Sequence, residues 1–151
     1  MQPIKKKEIT TVKNAITKWA NHLPRRTTPS YSPHYQYQIK YAGTEEIQVR
    51  DGDEKIWADG IRVTDGFLLE CKFIGKPKKS PFVKGSQIPP FIRDDIIADI
   101  ENEFFRYAAV INDPHTPVIG LEVIINEPQS THFFQEMLNR YQIPGHVIVQ
   151  P

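Results

Sequence analysis

Three stretches of the chain repeat apolar residues at the spacing of an amphipathic helix. They run from about Glu8 to Leu23, from Ile92 to Ile111 and from Ser130 to Arg140. Apolar side chains three or four positions apart lie on one side of a helix, so each stretch predicts a helix packed against a core. In the second stretch the apolar side consists of Ile96, Ile97, Ile100, Phe104, Ala108 and Ile111.

Five other stretches predict β-strands. Tyr35–Tyr41 alternates apolar and polar side chains, and Val118–Ile125 is apolar almost throughout. Glu46–Arg50 and Val147–Gln150 are shorter candidates, and residues 56–74 predict a hairpin. Without the short candidate Glu46–Arg50, the predicted order of elements is α-β-β-β-α-β-α-β.

This order predicts an α/β domain with a mixed sheet. Its first strands would form an antiparallel meander, and the second helix would cross over to add Val118–Ile125 in parallel. The chain has 151 residues, 39% of them hydrophobic, and no repeat or low-complexity tract divides it. We therefore expect a single domain over residues 1–151.

Charged side chains interrupt the apolar hairpin at residues 56–74. Asp65-Gly66 is typical of a two-residue turn, and counting outward from it places Asp59 opposite Lys72. Because side chains two apart on a strand share a face, Glu70 would join both residues there. The alternate residues would form the core face: Phe67, Leu69, Cys71 and Phe73. An isolated buried charge is costly, so this cluster indicates a functional site.

Two carboxylates and a lysine on one face suit the hydrolysis of a phosphodiester. Asp59 and Glu70 offer the hard oxygen ligands that Mg²⁺ prefers, with Mn²⁺ as a substitute, and the main-chain carbonyl of Cys71 is a further candidate ligand. Such an ion polarises a phosphoryl oxygen and lowers the pKa of a water, which Lys72 would orient. The alternative is an Asp–Lys cross-strand pair with only a structural role.

Basic residues near the hairpin are the candidates for contacts with phosphate. The loop after the second strand carries Lys76, Lys78, Lys79 and Lys84. Arg106, on the second long helix, is a weaker candidate, because its spacing from Glu103 is typical of a surface ion pair. Arg25 and Arg26 are not predicted to lie near the hairpin. With a net charge of only +1, attraction to nucleic acid would depend on such local patches.

No second catalytic site is evident in the sequence. The single cysteine excludes an internal disulfide, and strand alternation turns the Cys71 thiol into the core, where a thiol is usually inert. The histidines have no spacing typical of zinc ligands, at His22, His34, His115, His132 and His146. No glycine-rich phosphate loop or Gly-x-Ser-x-Gly motif is present.

Asp59 followed by Glu70-x-Lys72 resembles the PD-(D/E)xK, or restriction-endonuclease-like, nuclease superfamily. The chain is most similar to the restriction-endonuclease-fold toxin domains at the C-termini of bacterial polymorphic toxins, in which an Asp-Gly segment leads into a Leu-x-Glu-x-Lys strand. The motif covers residues 56–74, and the order of elements extends the likeness to most of the chain. Ala58 stands where the superfamily's name has proline, a position that tolerates change.

The resemblance implies a metal-dependent nuclease in which Asp59 and Glu70 bind the metal and Lys72 assists catalysis. DNA is the expected substrate; RNA, in particular tRNA, and a non-catalytic binding domain with the same sheet are the alternatives. Some relatives use an acid on the first helix as an extra ligand, for which Glu8 is a weak candidate, as are Glu45 and Glu46.

The same resemblance implies a route to the target and a partner. A toxin domain of this kind would be delivered by a secretion system or carrier protein, act in the cytoplasm of the target cell and bind a cognate immunity protein. The chain shows no signal peptide and no apolar run long enough to span a membrane, so we expect no membrane insertion.

Overall fold

The computed structural model describes residues 9–151 and the side chains of residues 13–151. The helices in this part are α1 (Ile9–Ala20), α2 (Pro33–Ala42), α3 (Pro90–Asn112) and α4 (Thr131–Arg140). The strands are β1 (Arg25–Thr27), β2 (Glu45–Arg50), β3 (Lys55–Ala58), β4 (Gly60–Arg62), β5 (Phe67–Lys72), β6 (Gly120–Ile125) and β7 (Gly145–Val149).

The strands form two sheets that meet at one residue. An antiparallel sheet has the order β1-β2-β3, and a mixed sheet has the order β4-β5-β6-β7. Only Asp59 separates β3 from β4, so one extended segment contributes a strand to each sheet. The α/β class and the mixed sheet are confirmed, while the predicted first strand of the meander is not.

That predicted strand, Tyr35–Tyr41, is the helix α2. Ser32 caps it by accepting a hydrogen bond from the backbone N–H of Tyr35, and Pro33 occupies the first turn, where its missing N–H costs nothing. Gly43 ends the helix with a φ of +105°. Tyr37 and Tyr41 are four residues apart, a spacing that suits one side of a helix as well as one face of a strand. The cap at Ser32 and the following Pro33 favour the helix.

The other large elements follow the prediction. The long helix α3 connects β5 to β6, which pair in parallel, and β7 adds a further parallel strand after α4. The first helix ends at Ala20, three residues before the predicted end. Within the described residues, no helix combines the length and the apolarity that a membrane span requires.

Both faces of the mixed sheet are covered. The larger core lies on the face that carries Leu68, which is fully buried together with residues of α3 and α4. The opposite face, with Leu69, Cys71 and Phe73, packs against α2. The predicted core face is therefore buried, but it holds the smaller cluster. Glu70 shares the face of Leu68, so the candidate site lies at the edge of the main core.

A close contact beside Asp59 accounts for the glycine that follows it. A Cβ atom on Gly60 would lie 2.4 Å from the carbonyl oxygen of Ala42, at the end of α2. Any other residue would force α2 or the strand to shift, because real Cβ contacts are essentially never this short. Because Gly60 has no side chain, the end of α2 can pack directly against the junction of the two sheets.

Candidate active site

The hairpin turn is longer than predicted. Arg62 pairs with Phe67, so residues 63–66 form a four-residue loop in place of the expected two-residue turn. The loop is closed by the Gly66 N–H, which donates to the carbonyl of Arg62 at 2.9 Å, and by the guanidinium of Arg62, which binds Asp65 at 2.8 Å. The side chain of Asp65 is thus engaged away from the candidate site.

The predicted register was wrong by two residues, but the predicted face was right. Gly60 lies opposite Leu69, and continuing this register places Asp59 opposite Glu70, not opposite Lys72. Because strand side chains alternate with a period of two, a shift of two residues returns each side chain to the same face. Asp59, Glu70 and Lys72 therefore lie together, as the sequence predicts.

Asp59 is held where the hairpin strands part. Its Oδ2 atom accepts a hydrogen bond from the backbone N–H of Cys71 at 2.7 Å, while its own N–H donates to the carbonyl of Leu69. The residue is only 7% exposed. Burial, and then the neighbouring charge of Glu70, raise the pKa of Asp59 well above its usual value. Two carboxylates are thus held close together at the centre of the site.

Glu70 is equally buried and is bound on both sides. The hydroxyl of Tyr107, from α3, donates to Oε1 at 2.5 Å, and the ammonium group of Lys72 lies 3.0 Å from Oε2. Burial and the charge of Glu70 raise the pKa of Tyr107, so its hydroxyl stays protonated and acts as a donor. Tyr107 is absent from the site that the sequence predicts.

Lys72 is shared between two carboxylates. Its Nζ atom lies 3.0 Å from Glu70 and 3.0 Å from Oε2 of Glu103, and its side chain is only 15% exposed. Burial alone would lower the pKa of Lys72, but the charges of the two glutamates outweigh it and raise the pKa above the usual value. Lys72 is therefore a protonated cation and not a base at neutral pH.

Glu103 is the acidic residue that the sequence analysis assigned wrongly. It was predicted to form a surface pair with Arg106, yet it turns toward Lys72, and Arg106 instead donates to the carbonyl of Lys55 at 3.2 Å. Burial and the charge of Glu70 raise the pKa of Glu103 to about 7. Glu103 lies one residue before Phe104, at the margin of the apolar side of the helix. This position is the feature of the sequence that indicates a partly buried side chain.

Three of these acids, Asp59, Glu70 and Glu103, line a cleft of about 280 Å³. The cleft is lined by Arg26, Glu46, Ile56, Trp57, Asp59, Glu70, Glu103 and Arg106. Arg26 lies beside the hairpin, although nothing in the sequence places it there. Glu46 is buried, and its carboxylate accepts hydrogen bonds from Nε of Arg26 at 2.6 Å and from the side-chain amide of Gln38 at 2.8 Å. Both Arg26 and Glu46 come from the β1–β2 pair. The sequence names Glu46 only as a weak candidate for an extra ligand, and it gives no reason to place Arg26 near the hairpin.

The other candidate residues lie elsewhere. Among the described residues, the loop lysines Lys76, Lys78, Lys79 and Lys84 are exposed, and none of them lines the cleft. Glu45 is an exposed partner of Arg25 at 3.9 Å, and Glu8 lies outside the described residues. Arg106 is the one predicted phosphate contact that lines the cleft.

The donor set fits a hard divalent cation. Asp59 and Glu70 are both buried; burial, and then the charge of Glu70, raise the pKa of Asp59, and a cation bound by both carboxylates would offset both effects. Within the described part of the chain, no group of three or more His, Cys, Asp or Glu side chains forms a ready-made metal cluster. A metal would thus rely on two carboxylates, with the Cys71 carbonyl as the further predicted ligand.

The two sheets, the helix α3 between two parallel strands and the acids at the sheet junction define a domain with the restriction-endonuclease-like fold. A family model described as restriction endonuclease fold toxin 2 matches residues 33–144, and the chain belongs to this family. Comparisons with curated proteins and with solved structures found no match. The matched range includes the hairpin, α3 and Glu46, whereas Arg26 precedes it.

Proposed function

We propose that the domain is a metal-dependent endonuclease that hydrolyses DNA phosphodiester bonds. The observation that carries this proposal is the convergence of Asp59, Glu70 and Lys72 in a restriction-endonuclease-fold toxin, with both acids lining one cleft and Lys72 bound to Glu70 behind it. Two acids beside a buried lysine have no evident structural need, since an apolar cluster would fill the same space at lower cost. Their presence at this position points to chemistry.

Asp59 and Glu70, with the carbonyl of Cys71, would hold Mg²⁺ or Mn²⁺. Such an ion would stabilise negative charge on a phosphoryl oxygen and favour ionisation of a nearby water. Lys72 presents a protonated ammonium at the same point, so it would stabilise the charge that develops on the phosphate or orient the water. Tyr107 and Glu103 keep Glu70 and Lys72 in place.

Purified domain incubated with plasmid DNA and with total RNA is expected to degrade the plasmid in Mg²⁺ and not in EDTA. The Lys72→Ala variant should lose this cleavage while remaining folded, because the cation at the phosphate is gone. Agarose gels of both substrates over time measure the effect. Lys18→Ala, which removes an exposed lysine of α1, is the matched control and should cleave normally.

Each other outcome has a defined meaning. Degradation of RNA alone would replace the DNase assignment by the RNase alternative. A Lys72→Ala variant that cuts DNA at the wild-type rate would contradict the proposed site. A folded wild-type domain that cleaves neither substrate in Mg²⁺ or Mn²⁺ would favour a non-catalytic binding domain.

The biological setting belongs to the same proposal. We propose that this toxin domain is the C-terminal part of a polymorphic toxin, reaches the cytoplasm of a competing cell through a secretion system or carrier, and is neutralised by a cognate immunity protein in the producer. Membership of the toxin family supports this setting.

An acidic immunity protein is expected to cover the loop of Lys76, Lys78, Lys79 and Lys84, four exposed lysines that follow β5. Reversing two charges, in Lys78→Glu/Lys79→Glu, should slow association about 10-fold or more at low salt, because complementary charge mainly accelerates encounter. Stopped-flow binding at several salt concentrations measures the rate. The pair Lys13→Glu/Lys18→Glu on α1 is the control, and an equal effect of both pairs would place the interface elsewhere.

A further inference from the structure

The polar face of the antiparallel sheet opens into the cleft beside the carboxylates. Along β3, Ile56 and Ala58 are buried in the core, so the alternation of the strand turns Trp57 the other way. Asp59 follows β3 directly, and Trp57 and Asp59 both line the cleft. An indole ring thus lies two positions along the chain from a proposed metal ligand.

Arg26 is fixed over this ring. Its guanidinium carbon lies 4.3 Å from the centroid of the Trp57 ring, and its Nε atom donates to Glu46 at 2.6 Å. Glu46 is itself held by Gln38, and its side chain is only 9% exposed. A guanidinium clamped in this way keeps its orientation, yet 54% of the Arg26 side chain is exposed. The arrangement presents an oriented, flat cation to whatever enters the cleft.

A second guanidinium lines the cleft from α3. Arg106 lines the same cleft as Arg26 and is held by the carbonyl of Lys55. An anionic ligand approaching the acidic centre meets repulsion from Glu70 and its neighbours, so cations beside that centre are needed to bind it. Arg26 and Arg106 supply that charge, and Trp57 adds an aromatic surface beneath one of them.

We propose that Trp57, Arg26 and Arg106 form a subsite for one unpaired nucleotide next to the phosphate that is cleaved. The base stacks on the Trp57–Arg26 pair, and its phosphate contacts the two guanidinium groups. Bases in a duplex are covered by their neighbours, so only an unpaired or extruded base can present its face to this pair. The cleft, at about 280 Å³, is close to the lower end of ligand sites, roughly 300–1,000 Å³, and suits a single nucleotide.

The subsite deepens the proposed function and rests on it only for the position of the cleaved phosphate. Its test is therefore a binding measurement without cleavage. Fluorescence anisotropy in EDTA compares a labelled oligo-dT with an oligomer of the same length made only of abasic deoxyribose phosphates. An oligo-U of that length shows whether the nucleotide comes from DNA or from RNA.

Trp57→Leu is expected to weaken oligo-dT binding about 5- to 150-fold, the range for losing one base–aromatic stack, and to affect the abasic oligomer less. Arg26→Gln should weaken both oligomers and reduce the slope of log affinity against log salt by about one. Phe105→Leu, which alters an exposed aromatic side chain of α3 outside the cleft, is the control and should bind both normally.

Two results would overturn the subsite: an unchanged affinity of Trp57→Leu for oligo-dT and oligo-U, or equal losses for base-bearing and abasic oligomers. Trp57→Phe, which keeps a smaller ring, should bind more tightly than Trp57→Leu, and circular dichroism verifies that both are folded. If the base-dependent loss is found in a protein that cleaves nothing in Mg²⁺, the nuclease proposal fails while the subsite stands.

Discussion

Replacing Asp59 by asparagine is expected to remove nuclease activity and, without divalent metal, to raise the free energy of unfolding. Asparagine keeps the oxygen that accepts from the backbone N–H of Cys71, but it removes one of two adjacent buried charges. Loss of a group that stabilises transition-state charge typically lowers kcat by about 10²- to 10³-fold, and a metal ligand is expected to cost at least that much. Stability and activity thus change in opposite directions.

The raised pKa of Asp59 also predicts how the free energy of unfolding changes with pH. The pKa of Asp59 is higher in the folded protein than in the unfolded chain, so the folded state binds more protons above about pH 4. The metal-free wild type should therefore lose stability as pH rises from about 4, and Glu103, whose pKa is about 7, extends the loss to about pH 7. In Asp59→Asn the fall should be shallower.

Three measurements check this prediction: plasmid cleavage, urea unfolding in EDTA across pH, and calorimetry with Mg²⁺ or Mn²⁺. The heat of metal binding should disappear in Asp59→Asn and in Asp59→Ala. Asp53→Asn, in the exposed loop between β2 and β3, is the matched control and should behave as wild type. An asparagine variant that binds Mg²⁺ with the wild-type heat would contradict the assigned metal ligand.

Replacing Lys72 by methionine is expected to lower the free energy of unfolding by about 3–5 kcal/mol at pH 8, the usual cost of removing one partner from a buried ion pair. The ammonium group lies 3.0 Å from both Glu70 and Glu103 in a largely buried position, and methionine leaves both carboxylates without it. Urea unfolding in EDTA measures the loss. The protein should remain folded, since small domains are typically stable by about 5–15 kcal/mol.

Two companion variants identify the cause of the loss. Lys72→Arg keeps the cation and should retain more stability than the methionine variant. Adding Glu103→Gln to Lys72→Met should restore part of the loss, because one unpaired charge is removed. The loss should also shrink at pH 5, below the pKa of about 7 at which Glu103 takes up a proton. A loss that neither Glu103→Gln nor acid reduces would point to packing instead of charge.

Local patterns were informative wherever one signal dominated. The long apolar stripe of α3 and the continuous apolar run of β6 identified both elements, and their order implied the parallel crossover. The tyrosines of α2 fitted two periods equally, so the outcome depended on a cap at Ser32. The turn length depended on Arg62, whose long side chain reaches Asp65 and closes a larger loop than Asp-Gly alone requires.

The central part of the candidate site follows from strand alternation alone. Asp59, Glu70 and Lys72 share a face in any register that differs by two residues, so an error in the turn left the prediction of their face intact. Strand alternation does not predict the residues around these three, because Glu103 and Tyr107 lie on a helix and Arg26 lies in a separate sheet. Contacts between elements distant in the chain depend on how those elements pack, and no local period in the sequence encodes that packing.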